Sequence, residues 1–309
     1  MDTPNSGGYS EEGKHILFRG LMATALQLCE KDDLKIYRPL QDPAIDFRIL
    51  QNDLNAFSAW SKSWQLDISY KKCRVLHVNF HHECFLRLDN EVLPSADDGI
   101  RDLGVKICPN LHWNLHCTEV ATNALKVTNC ILRALQHRCI EHYRKAYIVY
   151  CRPILEYCTQ AWSPYLISDI KTVENVQEYY TRMAFRKLFV RPYTPDYRAR
   201  LKMFDLEPLE YRRLEFDLAL CFKIVRGFSD IPLGSLFTLL DPRERRPHRY
   251  QLARKTCSAN SVFYCFQFRV VRIWDELPCR IAEAQNLSVF MNRLDSFDLR
   301  IIADLLTLE

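Results

Sequence analysis

The sequence predicts an α+β fold, a small antiparallel sheet followed by a mainly helical region, and three observations predict it. Between about 72 and 107 the apolar residues come in short runs, "CRVLHV", "FLRL", "EVLP" and "LGVKI", parted by polar turns such as "DN" and "SADDG", which is the pattern of short strands. Beyond Asn110 the apolar spacing lengthens to threes and fours, the period of a helix that faces a core. With 48% hydrophobic and 26% charged residues over 309 positions, the chain has the makeup of a globular protein and the length for one or two domains.

Taken in order, residues 1–14 are small, polar and charged without periodicity and read as a disordered leader. The Ala, Leu and Met content of "HILFRGLMATALQLCEK" favours helix over strand, and "LKIYR" (34–38) reads as a short strand. A helix follows in "DPAIDFRILQNDLNAFSAWSKSW", with Asp42 as N-cap, Pro43 at the first position, and Leu50, Leu54, Phe57, Trp60 and Trp64 on one face. After the strand-like runs, Val120, Ala121, Ala124, Ile131, Leu132 and Leu135 stripe one helix, and Ile170, Val173, Val176, Tyr180, Met183 and Leu188 another. Further helices are expected over 206–227 and 261–274, separated by the charged loop "DPRERRPHRYQLARK".

Composition excludes several function classes. A net charge of +4, from 42 Lys and Arg against 38 Asp and Glu, makes any basic surface local. Eight glycines, with neither GxGxxG nor a Walker-type loop, argue against nucleotide folds built on phosphate-cradling loops. The polar start lacks a signal sequence and no uncharged run is long enough to span a bilayer, so no membrane partner is expected and the chain reads as cytoplasmic or nuclear. Thirteen cysteines, an odd number and well dispersed, read as reduced thiols; the closest two, Cys151 and Cys158, stand too far apart for a zinc pair.

Two stretches carry chemistry. Asp32 and Asp33 stand just before the short strand at 34–38, a place suited to metal ions but preceded by Lys31. In the loop at 242–255, Arg243, Arg245, Arg246, Arg249, Arg254 and Lys255 face only Glu244, with Tyr250 available to stack on a base; RNA or single-stranded DNA is the partner such a loop suits.

"DDLKIYR", "LQNDLNAFSAWSKSWQLDISYKKCRVLHV", "RDLGVKI", "YCRPILEYCTQAWSPY", "VENVQEYYTRMAFRKL", "YRARLKMFDLEPLEYRRLEFDLAL" and "FRVVRIWDELP" occur in this order, and together, over roughly 29–295, the chain resembles the downstream half of non-LTR (LINE-type) retrotransposon reverse transcriptases. The resemblance implies a right-hand polymerase, with a partial palm over 15–108 and a helical thumb-like region over 109–309. It implies that Glu30, Lys31, Asp32 and Asp33 occupy the family's aromatic–Ala–Asp–Asp catalytic turn, where the aspartates hold magnesium, and that Lys72 matches a lysine beside the incoming nucleotide. Nucleotidyl transfer needs two magnesium ions about 4 Å apart, held by carboxylates from separate strands. Asp2 is the only other aspartate ahead of the pair in this sequence, and the Lys31 ammonium competes with a divalent cation, so no cofactor is expected in this chain. The reading is an inactive remnant of an RNA-directed DNA polymerase. A nucleic-acid-binding or protein-interaction module derived from the thumb, and a fragment of a longer active enzyme, are the alternatives. An uncovered palm-sheet face is the expected surface for a protein partner.

Overall fold

A computed structural model describes residues 26–30, 33–80, 84–136, 139–189, 193–241, 248–255 and 260–299; the leader expected at 1–14 lies outside them. The chain divides into two compact units, residues 1–100 and residues 101–309.

In the first unit β1 (Leu26–Glu30) pairs antiparallel with β2 (Asp33–Tyr37), from Leu26 opposite Tyr37 to Glu30 opposite Asp33. The helix expected from "HILFRGLMATALQLCEK" is therefore corrected over 26–30, which is strand. Helix propensities differ by only a few tenths of a kcal/mol per residue, about what a ladder to a strand rich in Leu34, Ile36 and Tyr37 outweighs.

Helix α1 (Pro43–Ser63) starts as the sequence predicts. The Asp42 carboxylate accepts from Ala44 N at 3.0 Å and Ile45 N at 3.3 Å, and Pro43 occupies the first turn, where its missing N–H costs nothing. Asp46 reaches back to accept from Gln41 N at 2.8 Å, Asp42 N at 2.9 Å and Arg38 Nε at 2.8 Å, and these bonds hold its carboxyl below the usual range.

After a 3₁₀ turn at Tyr70–Lys72, the strand expected at 73–78 is reduced to one bridge, Val75 to Ser95. Strands β3 (Arg87–Leu88) and β4 (Glu91–Val92) form a hairpin whose turn carries Asp89 at φ 53°, a conformation aspartate tolerates better than most residues. The Asp89 carboxylate is tied down by Lys62 at 2.8 Å, by Ser58 and by Tyr70 at 2.7 Å, and these partners hold it well below its ordinary range. Leu54, Leu86, Leu88 and Leu93 make this unit's small core, with Leu50 and Phe57 packed against it, whereas Trp64 at the end of the predicted stripe is exposed.

The second unit takes all but Ile100 of the two-stranded sheet of β5 (Ile100–Asp102) and β6 (Val105–Ile107). Its turn sets Leu103 and Gly104 at φ 45° and 88°, the pairing that two-residue hairpins use. A Cβ on Gly104 would stand 3.3 Å from the exposed Tyr157 ring, a tight contact added to a φ that already favours glycine. Grouped by sequence with the residues before 108, this hairpin packs Val105 into the helical core.

Helices follow to the end of the described chain. They are α2 (Asn114–Ala134), α3 (Ile140–Ala146), a π-helical turn (Tyr147–Cys151), α4 (Arg152–Glu156), α5 (Thr159–Trp162) and α6 (Ile167–Leu188). Then come α7 (Tyr197–Phe204), α8 (Leu209–Val225), α9 (Leu233–Leu236), α10 (Asn260–Phe263), α11 (Phe266–Asp275), α12 (Cys279–Ala282) and α13 (Leu287–Asp295). The architecture is α+β, with small two-stranded sheets beside a dominant set of helices. Among the described residues no helix is long and apolar enough to cross a membrane.

Both predicted stripes meet: α2 packs along α6, burying Ala121, Ala124, Ile131 and Leu132 against Val173, Val176 and Tyr180. The π turn has a covalent cause. Pro153 has no N–H to return to the carbonyl of Val149 and its ring crowds that carbonyl, so the preceding turn widens. A second core forms where α11 and α13 pack on α8, around Leu218, Phe222, Trp274 and Phe290. Between the two cores Arg269 of α11 grips Asp217 of α8 with both arms, at 2.7 and 2.9 Å, and donates to Gln160 O at 2.9 Å and Tyr264 O at 3.0 Å.

Both clusters lie wholly within residues 101–309, so a fragment of those residues is expected to keep helical circular dichroism and to unfold in one transition in urea. Arg269→Ala would strand a buried carboxylate and is expected to cost about 3–5 kcal/mol in the same titration, whereas Arg269→Met with Asp217→Leu recovers most of that loss.

Candidate nucleic-acid interface

Of the residues singled out by sequence, Asp32, Arg243, Arg245 and Arg246 lie outside the described residues. Asp33 opens β2, paired with Glu30 across the hairpin, and no third described strand joins that sheet. Lys72 ends the 3₁₀ turn with its side chain exposed and its N–H donated to Ser69 O at 3.0 Å. Among the described residues no group of three or more His, Cys, Asp and Glu side chains is gathered as a metal site.

The second half of the basic loop is an anchored segment of the second unit. Leu252 is fully buried and bridges antiparallel to Leu239, with Leu240 N donating to Gln251 O at 3.0 Å and Ala253 N to Thr238 O at 2.7 Å. The C-terminal end of α11 holds the other side, where Asp275 accepts from Leu252 N at 2.9 Å and Trp274 Nε1 donates to Tyr250 O at 2.8 Å. Burial pushes the Asp275 carboxyl up to about 6.

His248 is buried edge-on to Trp274, with ring centres 5.7 Å apart. Its Nδ1 accepts from Tyr250 N at 3.2 Å, so the proton sits on Nε2, which donates to Trp274 O at 3.0 Å. Burial lowers its pKa, because a charged imidazole there would lose its water and the bond to Tyr250 N.

Long-range partners change the charge balance read from the sequence. Arg249 meets Glu283 through its backbone N–H at 3.1 Å and its guanidinium at 3.7 Å, and Arg254 meets Glu276 at 3.2 Å and Asp275 at 3.7 Å. The Tyr250 ring already carries two cations, Arg226 at 4.8 Å and Arg249 at 4.9 Å, and is filled by them. Lys255 is exposed and makes no ion pair among the described residues.

Beside Lys255 opens a cavity of about 290 Å³ between α9, the end of the loop, α10 and α11. Phe237, Phe263 and Phe268 form apolar walls, Arg254, Lys255 and Arg272 bring positive charge, Gln267 adds an amide, and among the described residues no acidic side chain lines it. The Arg272 guanidinium lies 4.4 Å over the Phe263 ring. Sequence reading missed Phe263, Gln267, Phe268 and Arg272, since no spacing rule joins them to Lys255 until α10 and α11 fold back on the loop.

Comparison of the chain with known protein families, with curated proteins and with solved structures finds no match.

Buried neutral histidines set the sign of the acid response. Burial lowers His248, and it brings His116, whose Nδ1 accepts from Lys106 N at 3.1 Å, from 6.5 down to about 4. A folded pKa below the unfolded value means that the unfolded chain binds the extra proton. The stability these histidines give is therefore complete above about pH 6.5 and is lost as pH falls toward 4. Asp275, raised from 3.8 to about 6, contributes with the opposite sign as pH rises through that window, so the clean measurement is site-specific. In proton NMR the His116 ring is expected to titrate near 4 and the His248 ring below 6.5.

Proposed function

We propose that this chain is a remnant of a non-LTR (LINE-type) retrotransposon reverse transcriptase that does not polymerise by itself. The observation that carries this reading is the β1–β2 hairpin. Glu30 and Asp33, the first and last residues of the resembled catalytic turn, form its last pair, in strands rather than in a helix. That geometry supports descent from a polymerase palm.

The same hairpin supports loss of the chemistry. The two magnesium ions also need a carboxylate from a strand outside this hairpin, and among the described residues no third strand joins β1 and β2. The donors present do not fit that pair of ions, and no step is routed through them. Lys72 then has no leaving group to neutralise, and its exposed ammonium is a solvated surface charge.

A second reading, a nucleic-acid-binding module that kept the helical part, is favoured by one observation, a cavity lined by Arg254, Lys255, Arg272 and three phenylalanines, with no acidic side chain among the described lining residues. Binding and polymerisation separate cleanly in experiment. With primed RNA or DNA templates and magnesium or manganese, the purified chain is expected to add no nucleotides above background. Template-dependent incorporation that Asp32→Ala abolishes would overturn the first reading.

A further inference from the structure

We propose that ordered water is held inside the second unit between Arg213, Glu174, Gln177 and Tyr147, where it bridges a guanidinium to a carboxylate across the junction of α6 and α8. The proposal goes beyond the function proposed above and does not depend on it.

Unpartnered polar atoms mark the place. Arg213 is only 3% exposed, yet its Nη1 and Nη2 find no hydrogen-bond partner among the described residues, and the same holds for Gln177 Oε1 and Tyr147 Oη, both in fully buried residues. Protein interiors rarely leave such groups unsatisfied, and a buried guanidinium least of all. All of them surround one carboxylate. Gln177 Nε2 stands 3.5 Å from Glu174 Oε1, and the Tyr147 ring lies 4.9 Å from that of Tyr180, on the next turn of α6. Arg213 follows Leu209 by four residues on α8, so its side chain leans back toward the N–H that Glu174 receives. The charge of Glu174 acts on Arg213 and on Tyr147 alike.

Hydrogen-bonding capacity and charge set the ligand. Gln177 Nε2 donates to the Glu207 carbonyl, which can only accept, so the other end of that amide is an acceptor without a donor. Arg213 offers donors only, the Tyr147 hydroxyl gives or accepts, and the Glu174 carboxylate, which already receives Tyr197 Oη and Leu209 N, accepts up to about four bonds. A bound anion would face the Glu174 carboxylate, and a bound cation the Arg213 guanidinium. An apolar molecule would leave every one of these groups unsatisfied. A neutral molecule that both donates and accepts suits them all, and with Arg213, Gln177 and Tyr147 so deeply buried the smallest such molecule, water, is the one that fits. Glu174 is half-buried, which gives water a way in. Of the other acids whose charge reaches Arg213, Glu210 is exposed and Asp217 is held by Arg269.

The test uses the full 309-residue chain, with magnetic relaxation dispersion of solvent water to count the molecules that stay bound longer than the chain tumbles, and with urea titration. The parent is expected to hold long-lived water, and Arg213→Met and Tyr147→Phe are each expected to lower the dispersion amplitude by about one molecule per chain. Tyr147→Phe removes only the hydroxyl. Its loss is expected to lower the urea midpoint, because that hydroxyl is bonded to water, whereas removal of an unbonded buried hydroxyl would raise it. Far-UV circular dichroism checks that Arg213→Met folds; should it not, Tyr147→Phe decides alone. A parent without long-lived water overturns the proposal, as does a dispersion amplitude that neither variant alters, or a urea midpoint raised in Tyr147→Phe. None of these outcomes bears on primer extension or on RNA binding, so this proposal and the readings above fail separately.

Discussion

The second unit depends on a single buried ion pair. Arg269 and Asp217 belong to helices of one core, yet the guanidinium also donates to the chain at Gln160, within the helices of the other. Burial raises the Asp217 carboxyl above its ordinary range, and the Arg269 charge offsets only part of that shift. Burying two charges gains little net stability over an apolar pair, but it fixes how helices meet, since only one arrangement satisfies every arm of the guanidinium. Apolar surfaces slide; this contact does not.

Glu174 does similar work on α6. Half-buried, it accepts from Leu209 N at 3.0 Å and from the Tyr197 hydroxyl, so one carboxylate receives a free N–H at the start of α8 and steadies α7. A negative group at that helix start is also favoured by the helix dipole. Gln177, one turn along, donates to Tyr197 Oη and Glu207 O, both at 2.9 Å. Polar contacts thus set the path of the chain from α6 to α8, and apolar packing fills in around them.

Much of this fold was legible because it depends on neighbours in sequence. The cap and proline of α1, the stripes of α2 and α6 and the turn between β3 and β4 follow from spacing alone. Misreadings arose where distant partners decide. The strand at 26–30 takes its form from β2, and the run at 73–78 keeps only one bridge because β3 and β4 pair with each other. At the candidate site, reading along the chain counted Arg249 and Arg254 as unopposed, although Glu283, Asp275 and Glu276 come to them from α11 and beyond. Tyr250, chosen as the stacking residue, is covered by Arg226 from the end of α8.

The widened turn after α3 also sets a phase. Tyr143, Tyr147, Cys151 and Leu155 are all buried at a strict spacing of four, although in an uninterrupted α-helix each such step drifts by about 40° around the axis. Three steps would carry Leu155 about a third of the way round, off the face that Tyr143 buries. One turn with more residues than usual absorbs that drift and keeps the column straight. Pro153 therefore acts as a spacer for the core: the turn between Ala146 and Arg152 takes up about one residue more than an α-helix would, so a one-residue deletion there would let the helix run on regularly with Leu155 still within about 20° of the Tyr143 face.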